Sequence, residues 1–132
     1  MILSFKETFV PAVVDGTKPH TIRAGQRWRV GMSIQFYRNA RQKSMAKIRE
    51  NGEAKAVQTV RVDRESATYL NESRTIVWPG IFIDGRELKP IECMMLAQND
   101  GFDNVTELVA FLDNAHGLPF EGQLIHWTDL RY

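Results

Sequence analysis

Apolar residues fall in short bursts along this chain, and most of the bursts predict strands rather than helices. Residues 1–5 read as a short apolar strand. In 7–15, Phe9, Val13 and Val14 fall on one face of a short helix. Pro11 lies within its first turns, where proline is best tolerated, and Asp15-Gly16 stops it. Pro19 then biases Lys18 toward extended backbone. Residues 20–24 follow as a strand with Thr21 and Arg23 on one face and His20 on the other. A turn falls in 26–31, and 33–38 alternates with Ile, Phe and Tyr as a strand. The polar, basic stretch 39–51 predicts an excursion or a short helix. Val57, Val60 and Val62 give 54–62 β character, and 74–78 and 80–83 read as two further strands. Asp84-Gly85 signals a hairpin. A helix is predicted over 93–99.

The clearest periodicity lies in 104–114, where Val105, Leu108, Val109, Phe111 and Leu112 form an amphipathic helix stripe. Asn104 is its N-cap, with Glu107 three residues on completing a capping box. Gly117-Leu118-Pro119 ends the helix, and 120–128 is a last strand. Several strands and two or three helices without βαβ alternation define an α+β domain spanning 1–132, with a small antiparallel, barrel-like sheet.

Composition adds little to that picture. With 43% hydrophobic and 25% charged residues, the 132-residue chain is ordinary for a soluble domain. Cys93 stands alone and cannot form an internal disulfide, which points to a reducing, cytoplasmic setting. The sequence carries no secretory pattern and no membrane-spanning apolar run. Neither a phosphate-binding glycine loop nor a dinucleotide fingerprint is present, so no cofactor is expected. His116 and His126 have no Cys or His at metal-ligand spacing, so no metal is expected either.

Charge changes the picture more. Residues 1–64 hold 13 basic and 5 acidic residues, a net of +8, while 65–132 hold 4 and 11, a net of −7. From Arg23 to Arg49 there is no acid at all, and Trp28, Phe36 and Tyr37 are interleaved. Such a run supplies a positive field for a nucleic acid whose bases stack on aromatics. Equally, it is a solvated face balanced by the acidic half. The sequence leaves both open.

Candidate chemistry concentrates in Gly16-Thr17-Lys18-Pro19-His20-Thr21-Ile22-Arg23. A threonine hydroxyl becomes a nucleophile when a neighbouring base takes its proton. A lysine serves as that base once burial or nearby positive charge lowers its pKa. Arg23, on the Thr21 face, supplies such a charge and a donor for a developing oxyanion. A carboxylate from elsewhere is still required. Spacing alone reads as well as a turn lysine, a strand threonine and a surface arginine.

The eight residues resemble the signature of the ASCH domain family. "ILSFKETFVPAVVDG", "RWRVGMSIQFY", "LAQNDGFDNVTELVAFL" and "GQLIHW" are similar to its other segments in the same order. The likeness runs from Ile2 to Trp127 and is least in 39–56 and 78–92. It implies a PUA-like fold: a small β-barrel with flanking helices and a cleft for RNA or nucleotides. One branch, small bacterial amidohydrolases that deacetylate N(4)-acetylcytidine, has lysine, threonine three residues on and arginine two further. Lys18, Thr21 and Arg23 match it. By that likeness Thr21 is the nucleophile, Lys18 its base, Arg23 an oxyanion or substrate contact, and Asp100 stands where the branch has glutamate. Aspartate is one methylene shorter, and a displacement of about 1 Å costs on the order of 100-fold in rate.

Other residues compete for roles. Asp103 and Glu92 are alternative carboxylates, although Asp103 reads as an exposed turn residue and Glu107 as half of a cap. Trp28 stacks on a base or packs in the core. Cys93 reads as buried and inert. The expected activities are amide hydrolysis on N(4)-acylated cytidine or cytosine, RNA or nucleotide binding without turnover, or a nuclease in the same cleft. The expected partner is a modified nucleoside or RNA.

Overall fold

The structure, a computed structural model, describes residues 1–71 and 74–132, with the side chains of 65–79 outside the description. Its elements in chain order are β1 (Ile2–Phe5), a 3-10 turn (Glu7–Phe9), α1 (Val10–Asp15), β2 (His20–Ala24) and β3 (Ser33–Arg38). Then come β4 (Ala46–Lys47), β5 (Gly52–Glu53), β6 (Ala56–Asn71), β7 (Arg74–Ile83) and β8 (Arg86–Glu87). α2 (Pro90–Asn99), α3 (Val105–His116) and β9 (Phe120–His126) complete the chain.

The described strands form two sheets. The larger is antiparallel in the order β2-β9-β6-β7-β8. In the smaller, β3 pairs parallel with β1 and antiparallel with β4 and β5. The fold is α+β with two mostly antiparallel sheets and three helices. Its ladders leave both sheets open, so they do not close into the expected barrel.

β9 explains how two sheets share one interior. Phe120 and Leu124 face the core made by Val60, Val62, Ile81 and Ile83 with Leu96, Leu108 and Leu112 of the helices. Ile125, on the alternate face, joins Leu3, Phe5, Ile34, Phe36 and Trp127. A strand buried on both faces has no reason to alternate, and residues 122–127 are buried without a break. Removing Leu124 or Ile125 side chains costs about 2–5 kcal/mol by the usual cavity scale.

Several boundaries differ from the sequence expectation. β6 extends to Asn71, and β7 runs through Pro79 as one strand rather than two. The β6–β7 register shifts between Asp63 and Ala67, beside Pro79, which has no amide hydrogen for the ladder. The excursion 39–51 is turns plus the two-residue β4, with no helix. Asp84 and Gly85 both take positive φ, 52° and 81°, as a two-residue hairpin turn requires. The Asn104 side chain accepts from Glu107 N at 2.9 Å, while Glu107 Oε2 accepts from Asp103 N at 3.2 Å instead of the cap residue. Cys93 is buried in the helix core.

No helix among the described residues is long and apolar enough to cross a membrane.

Gly122 couples this frame to β2. It sits opposite Ala24, and a Cβ there would overlap the Arg23 main-chain oxygen and lie 2.8 Å from the Phe120 ring. Gly122→Ala is expected to cost about 1–3 kcal/mol, the range for overpacking, read as a lower urea midpoint at unchanged m-value.

Candidate functional site

The Lys18 side chain is placed by a turn held at both ends. Gly16, at φ 87°, ends α1 in the left-handed conformation. Asp15 Oδ1 accepts from Thr17 N at 2.9 Å and Thr17 Oγ1 at 2.7 Å, bonds that lower the Asp15 pKa. Lys18 N then donates back to Ala12 O at 3.0 Å. The chain leaves the turn through Pro19 into β2, and Lys18 is carried inward with only 2% of its surface exposed.

Asp100 meets it from the far end of α2. Its amide closes the helix on Leu96 O at 2.9 Å, and Gly101 follows at φ 97°. Glycine is required there twice over, because a Cβ would also fall 2.8 Å from the Phe9 ring. This turn aims both the carbonyl and the carboxylate of Asp100 at one amine. Lys18 Nζ donates to Asp100 O at 2.6 Å and to Oδ1 at 2.9 Å. The negative end of the α2 dipole adds to their pull on the amine. The aspartate therefore reaches Lys18 with a single methylene and its own main-chain oxygen.

Burial sets the electrostatics. It lowers the Lys18 pKa, and the neighbouring Arg23 charge pushes the same way, against the opposing pull of Asp100. Burial raises the Asp100 carboxyl, which is 4% exposed, but Lys18 and His20 outweigh it and hold the group below the ordinary carboxylate range.

Beside this pair opens a cleft of about 730 Å³ lined by Lys18, Thr21, Arg23, Trp28 and Asp100. Thr21 and Arg23 share a face of β2, as the alternation requires. No hydrogen bond engages the Thr21 hydroxyl among the described residues, and none joins it to Lys18. Arg23 Nη2 donates to Ser4 O at 2.8 Å, and its guanidinium lies 5.1 Å from the Phe5 ring centroid. Its Nε is buried without a partner. Burial lowers the Arg23 pKa and Asp100 opposes this, but a guanidinium stays charged at neutral pH.

Trp28 is 5% exposed and belongs to the small-sheet core while bordering the cleft. Gln123 grips its backbone from both sides, at 2.9 and 3.0 Å. Most of the ring is thus packing surface. The aromatic wall of the cleft is Phe9, Phe102 and Phe111, whose rings meet at 5.3–6.0 Å. Phe9 also lies 5.2 Å from Lys18 Nζ.

The competing carboxylates are elsewhere. Glu92 is bound to Arg86 at 3.0 and 2.9 Å and to Lys89 N, which lower its pKa to about 2. Asp103 and Glu107 serve the α3 cap. His116 borders the cleft, while His126 is buried. Among the described residues no group of His, Cys, Asp and Glu is placed to hold a metal ion. The basic run divides: Arg23, Arg27 and Arg41 line the cleft, whereas Arg38 approaches Glu7 at 3.7 Å and Arg49 lies over Phe36.

His20 was missed by the sequence reading. Alternation puts it on the face opposite Thr21, which leaves it a minor candidate for the site. Instead it lies fully buried behind Asp100, with Nδ1 3.0 Å from Oδ1. Its partner on the other side, the Tyr132 hydroxyl at 2.7 Å, is 112 residues away, a contact that no local pattern signals.

Chemically, the site unites an amine of lowered pKa, a fixed carboxylate, a hydroxyl without a bond and a guanidinium with a spare donor beside an aromatic wall. Comparison of the chain with protein-family models, with characterised proteins and with solved structures gave no match.

The depressed Asp100 pKa has a sign in stability. The folded protein gives up that proton more readily than the unfolded chain. The stabilisation is fully present above the ordinary value of 3.8 and is lost as pH falls through the folded value. Asp100→Asn, which breaks a buried pair, is expected to cost about 3 kcal/mol near neutral pH. The gap to the parent protein narrows in acid, read from denaturation midpoints across pH.

Proposed function

We propose that the chain is an ASCH-like module of PUA-like descent, its barrel opened into two sheets, that hydrolyses the exocyclic amide of N(4)-acylated cytidine or cytosine. The observation that carries this reading is the bonding of Lys18. Its amine spends two donors on Asp100, at 2.6 and 2.9 Å, in a cleft that also holds the unbonded Thr21 hydroxyl. A neutral amine has two N–H groups and one lone pair. When Lys18 gives up its proton with two N–H groups kept on Asp100, the lone pair is left to meet the Thr21 proton.

The steps follow. The acylated base enters against Phe9, Phe102 and Phe111. Thr21 Oγ attacks the acyl carbonyl while Lys18 Nζ takes its proton. The oxyanion is met by the Arg23 guanidinium, which lines the cleft. Collapse breaks the C–N bond, and Lys18 returns the proton to the departing cytosine nitrogen. Water, deprotonated by Lys18, then cleaves the Thr21 ester, giving the carboxylic acid and restoring the hydroxyl. Asp100 keeps the amine in place throughout.

Incubation with N(4)-acetylcytidine should release cytidine and acetate. Thr21→Ala should abolish release. Lys18→Arg should lower kcat by about 10²–10⁴-fold, the range for loss of an acid–base group, because arginine keeps its proton. Release by the parent protein no greater than by Thr21→Ala sinks the reading for this substrate.

One observation favours a second reading, a cleft that binds RNA or a nucleotide without turnover or serves a nuclease. Lys6, Lys18, Arg23, Arg27 and Arg41 line it against a single carboxylate, Asp100. On that reading, affinity for a short single-stranded RNA falls steeply with salt, at about 0.7 log units per phosphate neutralised and decade of salt. Arg27→Ala with Arg41→Ala flattens the slope, while Thr21→Ala leaves it unchanged.

A further inference from the structure

Behind the cleft lies a chain of buried and half-buried polar groups, of which His20, Tyr132 and Asn99 have no part in the hydrolysis. Asn99 Nδ2 donates to the Tyr132 hydroxyl oxygen at 2.9 Å. That hydroxyl lies 2.7 Å from His20 Nε2, and His20 Nδ1 lies 3.0 Å from Asp100 Oδ1, the same oxygen that accepts from Lys18. One arrangement of protons satisfies every contact: the Asp100 carboxylate accepts from His20 Nδ1–H, and His20 Nε2 accepts from the Tyr132 O–H. Tyr132 suits that role, since burial, first among its causes, raises its pKa to about 12 and keeps the proton on. Its backbone is clamped as well: Gln58 Nε2 donates to its main-chain oxygen at 2.9 Å, and Gln58 Oε1 accepts from its amide at 3.2 Å.

We propose that His20 and Tyr132 are positioning residues for the base: Tyr132 fixes the His20 tautomer, His20 fixes and stabilises the Asp100 carboxylate, and Asp100 holds the Lys18 amine with its lone pair toward Thr21. This rests on the reading of Lys18 as the base. The relay also tunes that base. When Lys18 loses its proton, Asp100 is left as a buried carboxylate without a cation beside it, and this is the state in which the His20 donor matters most. Removing the donor penalises that state and raises the Lys18 pKa. The other charged or titratable groups facing the relay are Arg23 beside Lys18, and His126, Arg131 and Asp84 beyond His20. His126 is held neutral, its pKa pushed down to about 3, by burial first and by the Arg131 charge.

The test compares His20→Leu, which removes the donor, with His20→Asn, whose amide nitrogen stands where Nδ1 stood, and with Tyr132→Phe, which deletes one hydroxyl. Two quantities are read: the titration of Lys18 by NMR of protein labelled with ¹³C-lysine, and the pH profile of N(4)-acetylcytidine hydrolysis. A hydrogen bond to a charged group, converted at the usual scale, moves the Lys18 midpoint of His20→Leu up by about one pH unit. The acid limb of kcat moves with it, so activity near neutral pH falls about tenfold at unchanged KM. His20→Asn restores most of both, and Tyr132→Phe shifts them in the same direction by less.

A purely structural role lowers the unfolding midpoint without moving either titration. Unmoved Lys18 titrations in folded His20→Leu and Tyr132→Phe overturn the relay; should His20→Leu fail to fold, Tyr132→Phe alone decides. A shifted Lys18 titration in a protein without hydrolysis overturns the amidohydrolase reading and leaves the relay standing.

Discussion

An ammonium and a carboxylate are held together in the Lys18–Asp100 pair, almost wholly out of water, at 2.9 Å. Desolvating two such ions costs several kcal/mol each, and their attraction offsets this only when the remaining hydrogen-bond capacity is filled. It is filled here by the Asp100 carbonyl on one side and by His20 on the other. Each support comes from a different part of the chain: the turn after α1, the end of α2, β2, and Tyr132 beside Gln58 of β6. The pair can exist only when all four are in place. A pair of apolar side chains at these positions is often as stable or more so, so stability gives no reason for its presence. Its value lies in holding an amine of lowered pKa at the edge of a cleft.

β9 makes that convergence possible. It carries β2 on one side and β6 on the other, and it places Leu124 and Ile125 in separate cores. The helices that bring Asp100 are seated on one of its faces, and the small sheet that supplies Ser4 and Phe5 to Arg23 on the other. Gly122 is the narrow point in this frame, since the Arg23 backbone passes where a Cβ would stand. The same strand thus sets how far β2 stands from the core and where Thr21 and Arg23 face.

What could be read in the sequence followed local physics. The Asp15-Gly16 stop, the shared face of Thr21 and Arg23, and the Asn104 cap depend on neighbours within a few residues, and the structure has each of them. Pro19 and Gly101 also mark, by their backbone requirements, where the chain must bend toward the pair. The sequence did not disclose the split into two sheets, because short apolar strands look alike whichever sheet they join. Nor did Pro79 reveal that β7 passes through it, since a proline ends a strand pattern unless the partner strand shifts register. His20 was hidden by a rule that held: it does face away from Thr21. Alternation along a strand assigns a face and says nothing of what packs behind it.

Asp100 shows how a short acid can hold a buried amine. A glutamate in a helix reaches its partner with the side chain alone. Asp100 instead sits at the last turn of α2, where its carbonyl is no longer needed inside the helix and is free to accept. The left-handed Gly101 turns the backbone so that this carbonyl and the carboxylate converge on one amine. A main-chain oxygen adds to the hold of this short side chain. This binds the amine's geometry to the backbone of the helix end, and with it to the Phe9–Gly101 contact that keeps the turn closed. Reach in the site is therefore set by how the chain leaves α2, and the side chain supplies only the charge.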